Sequence, residues 1–189
     1  YYNYKDSDQS VTSSTTLTFT VNGVNDPPTI TKANDALDPT RVGNDLVYES
    51  NLPAGTNPAP LPPGGPDRYA TGTLILQDPD GLDDIQVVRF QTNVNGGETH
   101  DFTAAQLGSI TSGVPASYQS FATENGTVTL IAYDTSTGVI SYRFELTSPT
   151  KDEQTPVDKV EKNEFTVATR DESLDYSPAV TVTVEIVDD

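Results

Sequence analysis

Polar and apolar residues alternate at every second position in residues 16–22 and again in residues 179–185. Successive side chains of a β-strand point to opposite faces, so this period predicts half-buried strands of antiparallel sheets. Further strands are predicted at residues 45–49, 70–76, 85–91, 126–133, 138–146 and 163–169. Helical periodicity is almost absent, and only residues 103–107 are expected to form a short helical turn. Many short strands without alternating helices predict an all-β fold, an antiparallel β-sandwich.

The predicted connections differ in length. Residues 134–138 (DTSTG) are typical of a tight hairpin turn. Residues 53–66 contain six prolines, which cannot donate to a strand ladder, and we expect a long surface loop there. Residues 93–119 mix Gly, Ser and Pro with one aliphatic stretch and are also predicted to be irregular. Both irregular segments could be structural decoration or could carry a binding site.

Composition excludes several classes of partner and site. The 28 acidic and 10 basic residues give a net charge of −18. We therefore expect no binding to nucleic acid or to anionic membranes, since both need clustered lysine and arginine. The absence of cysteine excludes disulfides and thiolate metal sites. No apolar run approaches the roughly 20 residues of a membrane span, and residues 1–10 do not resemble a signal peptide, so any export signal is expected outside this sequence.

The sequence matches itself at its two ends. Residues 1–26 align without a gap on residues 164–189, a shift of 163 positions. The eight identical pairs are Asp8/Asp171, Ser10/Ser173, Ser14/Ser177, Thr18/Thr181, Thr20/Thr183, Val21/Val184, Val24/Val187 and Asp26/Asp189. We interpret the match as a tandem array, in which residues 1–23 are the last strands of one unit and residues 24–189 are a complete unit. The alternative is that any two hairpins rich in Thr and Val look alike.

Four carboxylates are concentrated in the turn DPDGLDD at residues 78–84. They belong to Asp78, Asp80, Asp83 and Asp84. Crowded anions repel unless a counter-ion is present, and Ca²⁺ accepts six to eight hard oxygen ligands at flexible angles. The spacing does not fit an EF-hand loop, because with Gly81 at the sixth position the first and twelfth would be Leu76 and Val87. The turn predicts a calcium site, against the alternative of a solvated Asp-rich turn.

A second acidic group lies at the boundaries of the predicted unit. Its members are Asn25 and Asp26 before the unit and Asp188 and Asp189 at its end. Oxygen ligands from two neighbouring domains can converge on one ion, so these linkers are predicted to bind Ca²⁺ as well. Glu49, just after a strand, and the hairpin acids Asp6, Asp8 and Asp171 could complete such sites, against the alternative that each is a solvated surface acid. Magnesium fits less well because it demands octahedral geometry, and zinc is unexpected with one His and no Cys.

No catalytic constellation is recognisable. His100 is the single histidine and is expected to be a surface residue of a loop. The chain has no Gly-x-Ser-x-Gly elbow and no Gly-rich phosphate loop. Paired carboxylates could serve a glycosidase, but a sugar cleft normally carries aromatic platforms, and there is no Trp. We therefore expect that the protein is not an enzyme.

Several segments resemble a known family. Residues 16–28 (TLTFTVNGVNDPP) are similar to the junction between two cadherin-like or VCBS-type repeats. Residues 47–55 (VYESNLPAG), 70–74 (ATGTL), 80–82 (DGL) and 184–189 (VEIVDD) resemble repeats of giant RTX adhesins of Gram-negative bacteria. The likeness covers most of the chain, although each motif is degenerate. The Gly-Gly-x-Gly-x-Asp nonapeptides of the RTX β-roll are absent, so the resemblance points to the body or tip of such an adhesin.

The resemblance implies an Ig/cadherin-like β-sandwich, type I secretion, and an extracellular position on the bacterial cell surface in cell adhesion and biofilm formation. It implies calcium within and between repeats. The expected partners are neighbouring repeats of the same chain and, for a ligand-binding module, a host-surface peptide or glycan. The module itself is expected to be a monomer. The alternative role is a purely structural spacer that calcium rigidifies.

Overall fold

The computed structural model of the protein describes residues 16–20, 23–33, 46–53, 55, 68–150, 160–174 and 176–187. These residues form ten strands: β1 (Thr29–Lys32), β2 (Leu46–Tyr48), β3 (Tyr69–Gln77), β4 (Val87–Thr92), β5 (Glu98–Thr103), β6 (Gln119–Ala122), β7 (Gly126–Asp134), β8 (Val139–Leu146), β9 (Val160–Arg170) and β10 (Val180–Val187). They also form one short helix, α1 (Ala104–Gly108), and 3₁₀ turns at Glu49–Asn51, Val94–Gly96 and Pro115–Ser117. Within this part of the chain, no helix has the length and apolar character needed to cross a bilayer.

The strands form two five-stranded sheets. One has the order β1-β3-β8-β7-β6 and the other β2-β10-β9-β4-β5. The neighbouring strands are antiparallel except for β2, which runs parallel to β10. The predicted all-β sandwich is confirmed, and the parallel β2–β10 pair makes the second sheet mixed.

Strict alternation along the strands produces the core between the sheets. In β8, Ile140, Tyr142, Phe144 and Leu146 are buried, while the residues between them are half-buried. Burial of a large apolar side chain contributes about 1.5–3 kcal/mol to stability. The period-two pattern read from the sequence is therefore the pattern that closes the sandwich.

An aromatic cluster occupies the middle of the interior. Phe90, Phe102, Phe121, Phe165 and Tyr142 have ring centroids 4.9–6.2 Å apart. Phe121 in β6 of one sheet lies 4.9 Å from Phe90 in β4 of the other. Tilted and edge-to-face pairs of this kind add about 0.5–1.5 kcal/mol each beyond their buried area. The cluster joins the two sheets.

The sandwich has two distinct ends. We call one the acidic end, formed by the turn at residues 78–84 and by Asp171 after β9. The other is the Glu49 end, formed by Glu49 after β2 and by the β6–β7 turn at residues 123–125. Thr29 pairs with Gln77, so β1 starts at the acidic end. Val187 pairs with Tyr48, so β10 finishes at the Glu49 end. The described sandwich is therefore entered at one end and left at the other.

The hairpin turn at residues 134–138 is confirmed, as is the short helix near residue 104. Gly138 donates its N–H to the carbonyl of Asp134 at 2.8 Å and has a φ of 71°, a conformation that favours glycine. Thr103 caps the helix by accepting a hydrogen bond from the N–H of Gln106. Both features follow from local sequence alone.

Two predictions about regular structure are wrong. Residues 16–20 were expected in a strand, but they lie outside every strand of the described chain. Leu17 and Phe19 are 74% and 78% exposed there, so their apolar face is uncovered. Residues 93–119 were expected to be irregular, yet they contain β5, α1 and the start of β6. Most of the proline-rich segment 53–66 lies outside the described residues.

Candidate metal centre

Asp171 lies directly after the last residue of β9 and is fully buried. Its Oδ1 accepts hydrogen bonds from the N–H of Ser173 at 2.7 Å and from the Ser173 hydroxyl at 2.6 Å. Its Oδ2 accepts from the side-chain amide of Asn25 at 2.8 Å. The bonds from Ser173, followed by the bond from Asn25, hold the pKa of Asp171 below its usual value. Asp171 is therefore an ionised carboxylate inside the protein.

The turn at residues 78–84 connects β3 to β4 across the two sheets. Asp78 accepts a hydrogen bond from the N–H of Asp80 at Oδ1, 2.8 Å away, and its carbonyl accepts from the N–H of Gly81 at 3.2 Å. Gly81 has a φ of 124°, which favours glycine, and its carbonyl accepts from the N–H of Asp84 at 3.1 Å. These backbone bonds fold the turn so that Asp78 and Asp84 approach each other.

Three carboxylates from the two segments converge. Asp78, Asp84 and Asp171 each offer an oxygen that lies within 4.8 Å of the others. Asp78 Oδ2 is buried and has no hydrogen-bond partner in the described protein. Burial raises the pKa of Asp84, and the negative charges of Asp78, Glu172, Asp171 and Asp80 raise it further. The trio is therefore a site of unbalanced negative charge, in which only Asp171 is well supplied with donors.

The geometry of the trio suits one hard cation. Ca²⁺–oxygen distances are about 2.3–2.6 Å, so ligands on opposite sides of one ion are about 4.6–5.2 Å apart. The three carboxylate oxygens lie within 4.8 Å of one another, close enough to reach one such ion. A bound divalent cation would balance the repulsion and would give Asp78 Oδ2 a partner.

The chain at residues 25–26 contacts both halves of the site. Asn25 donates to Asp171, as described above, and the N–H of Asp26 donates to Asp80 Oδ2 at 2.7 Å. Asp80 and Asp26 therefore bond to each other rather than joining the trio. The turn at residues 78–84 and the first half of the boundary group, Asn25 and Asp26, therefore lie together at the acidic end.

The remaining predicted ligands lie elsewhere or outside the described chain. Glu49 is at the opposite end, where its Oε1 accepts from the N–H and the hydroxyl of Thr150, both at 2.6 Å. Asp83 belongs to the turn but is not one of the three converging carboxylates. The positions Asp6, Asp8, Asp188 and Asp189 lie outside the described residues. Asp171, expected only to complete a site, supplies its most buried carboxylate.

His100 does not lie in a loop, contrary to the expectation from sequence. It belongs to β5, and its ring stacks on Phe121 with centroids 5.1 Å apart. Its Nε2 lies 3.7 Å from Glu98 Oε2. The alternating pattern of β5 was obscured by its polar residues, and only Phe102 is buried in that strand.

No protein-family model matches the chain, and no curated protein matches its sequence.

Proposed function

We propose that the protein is a calcium-dependent structural β-sandwich module in which Asp78, Asp84 and Asp171 hold the ion. The proposal depends on one observation, the convergence of these carboxylates within 4.8 Å although they come from two separate turns. An ion there joins the β3–β4 connection to the end of β9. Ion binding and folding are thereby coupled, because the unfolded chain has no such site.

Calcium fits the ligand set better than other common metals. All three side chains offer carboxylate oxygens, and backbone carbonyls and water complete the coordination of Ca²⁺ at flexible angles. Magnesium requires near-octahedral ligand placement at 2.0–2.1 Å. Zinc prefers nitrogen and sulfur, whereas the chain has no Cys and its single His lies in β5.

The self-match of the sequence supports the tandem array. Three of its eight identities fall on Asp171, Ser173 and Ser177. The structure gives each of these a polar role, since Ser173 binds Asp171 and the hydroxyl of Ser177 accepts from the N–H of Thr169 at 3.0 Å. A preceding unit that repeats the Asp-x-Ser sequence and the Ser177 position would account for these polar identities, and we favour it over a chance resemblance between two Thr/Val-rich hairpins.

Within such an array we favour the spacer role over ligand binding. The described sandwich is entered at the acidic end and left at the Glu49 end, as linear stacking requires. Segment 93–119, a candidate binding loop, contains β5, α1 and the first residue of β6. The assignment to a secreted RTX-type surface adhesin rests on the sequence resemblance. A host-surface peptide or glycan ligand remains the second candidate function, motivated by segment 53–66.

The metal proposal is tested by calcium titration of the wild-type chain and of Asp171→Asn. We expect calcium to raise the melting temperature of the wild type and a chelator to reverse the increase. Asp171→Asn removes one carboxylate and should abolish most of the response. The proposal fails if the wild-type melting temperature is the same in saturating calcium and in chelator.

Asp134→Asn is the matched control. Asp134 Oδ1 accepts from the N–H of Ser136 at 2.9 Å and from its hydroxyl at 2.6 Å, the same Asp-x-Ser arrangement as at Asp171. Hydrogen bonds from Ser136 likewise lower the pKa of Asp134. Asp134 is not one of the three converging carboxylates. Its variant should therefore lose the same pattern of turn hydrogen bonds, at an exposed position, and keep the calcium response.

A further inference from the structure

Polar side chains lie inside the sandwich between the aromatic cluster and the Glu49 end. Thr92, Thr123 and Asn163 are 3%, 6% and 2% exposed. They come from β4, from the residue after β6, and from β9. Each is therefore surrounded by protein, although its side chain carries groups that require hydrogen bonds. We call these three residues the polar layer.

The strand directions place each of the three residues one step nearer to the Glu49 end than a phenylalanine of the aromatic cluster on the same strand or its extension. Each follows the aromatic cluster by two residues toward the Glu49 end, in the pairs Phe90/Thr92, Phe121/Thr123 and Phe165/Asn163. The three phenylalanine rings contact one another, with centroids 4.9, 5.9 and 6.2 Å apart. Residues two apart in a strand share a face, so the polar layer continues the inner faces of both sheets.

The register adds a closer relation between two members of the layer. Thr92 is paired with Phe165 across the β4–β9 ladder. Asn163 is therefore the diagonal neighbour of Thr92, at the separation of about 7–8 Å that such positions have.

The polar atoms of the layer are orphaned. Thr92 Oγ1, Thr123 Oγ1, and both Oδ1 and Nδ2 of Asn163 are buried and have no hydrogen-bond partner in the described protein. Buried polar groups in folded proteins are normally paired with protein or with ordered water. Four such atoms on the Glu49 side of the same three phenylalanine rings point to a shared partner rather than to four separate defects.

We infer that the polar layer binds ordered water within the sandwich. Its partner must accept from the Asn163 amide and also donate to Asn163 Oδ1, and each threonine hydroxyl can do either. Water does both. A metal cation does not, because it would face the amide hydrogens and would find no carboxylate among the three residues. Buried waters typically make about three hydrogen bonds, as this layer allows.

Substitution at Thr92 distinguishes a hydrated layer from a dry one by the sign of the stability change. In a hydrated layer, Thr92→Val takes a partner from the bound water, and we expect the melting temperature to fall by a few degrees. In a dry layer the same change removes an unsatisfied hydroxyl and keeps the shape, so the melting temperature rises. Thr181→Val, on the exposed face of β10, is the matched control and should change little.

Nuclear magnetic resonance of the wild-type chain gives a direct test that does not depend on a variant. We expect rotating-frame Overhauser contacts between long-lived water and the side-chain amide of Asn163. Detection of that contact together with a lowered melting temperature for Thr92→Val supports the inference. Absence of the water contact overturns it, whatever the variant does.

Discussion

Asp84→Asn provides the sharpest test of the acidic end, because its effect on stability should change sign with calcium. Asparagine keeps the shape of the side chain and removes its charge. Without calcium, burial and four neighbouring acids raise the pKa of Asp84. The folded chain then binds more protons than the unfolded chain between the ordinary pKa of 3.8 and the raised value.

The sign of the pH dependence follows directly. Stability falls as pH rises through that window, and it stays lower at neutral pH, where Asp84 is ionised. The Asn variant does not lose stability in this way, because it has no carboxyl group to ionise at residue 84. In chelator at pH 7 it should therefore melt at a higher temperature than the wild type, and the difference should shrink as the pH is lowered to about 4.

Saturating calcium should reverse the order of the two melting temperatures, so that the wild type melts above Asp84→Asn. Free calcium at about 100 times its dissociation constant stabilises the wild type by about 2.7 kcal/mol. At about 2–4 °C per kcal/mol for a domain of this size, the melting temperature should rise by about 5–11 °C. A variant that binds calcium about 100-fold more weakly gains only about 1 °C under the same conditions.

The assay is a set of thermal melts of wild type and Asp84→Asn, in chelator and in saturating calcium, at both pH values. Asp134→Asn serves as the control for loss of an acidic turn residue. The reasoning is refuted at the metal step if Asp84→Asn keeps the full calcium response. It is refuted at the electrostatic step if the variant is less stable than wild type in chelator at pH 7.

Four further outcomes are expected. Phe165→Ala removes a buried ring that contacts three others, and urea unfolding should show a loss of about 3–5 kcal/mol. Glu49→Ala should cost about 1–3 kcal/mol, because Glu49 Oε1 accepts two hydrogen bonds, while the calcium-induced shift stays unchanged. Phe19→Asp should alter stability by less than about 0.5 kcal/mol in this chain, yet should destabilise a longer chain that contains the preceding unit. Hydrogen exchange in chelator should speed up at the acidic end and not at the Glu49 end.

Most of the central strands could be predicted from sequence because they have neighbours on both sides. A strand such as β8 buries every second residue, and its apolar period is therefore strong. The strands that were missed, β1, β5 and β6, are all at sheet edges. An edge strand has one ladder and an exposed border, so its composition is more polar and its pattern is weaker. Such a weak pattern predicts an irregular segment where β5 lies.

The candidate site was only half visible in the sequence, for a related reason. The turn at residues 78–84 is a local feature, and its acids stand out as neighbours in the chain. Asp171 approaches that turn only because β9 and β4 pair with Arg170 opposite Val87. Such a register depends on the whole sheet and has no local signature. The same holds for Asn25, whose bond to Asp171 joins residues 146 positions apart.

The two ends of the sandwich are stabilised by different interactions, and the joints of the proposed array should therefore respond to calcium on one side only. The acidic end concentrates charge in Asp78, Asp84 and Asp171, so under our proposal its order depends on a cation. The Glu49 end is held by hydrogen bonds from Thr150 and, by our inference, by water in the polar layer. In a linear array each joint places the Glu49 end of one unit beside the acidic end of the next. Calcium then controls the stiffness of the joint from one side only, because the Glu49 end keeps its hydrogen bonds whether or not the ion is bound.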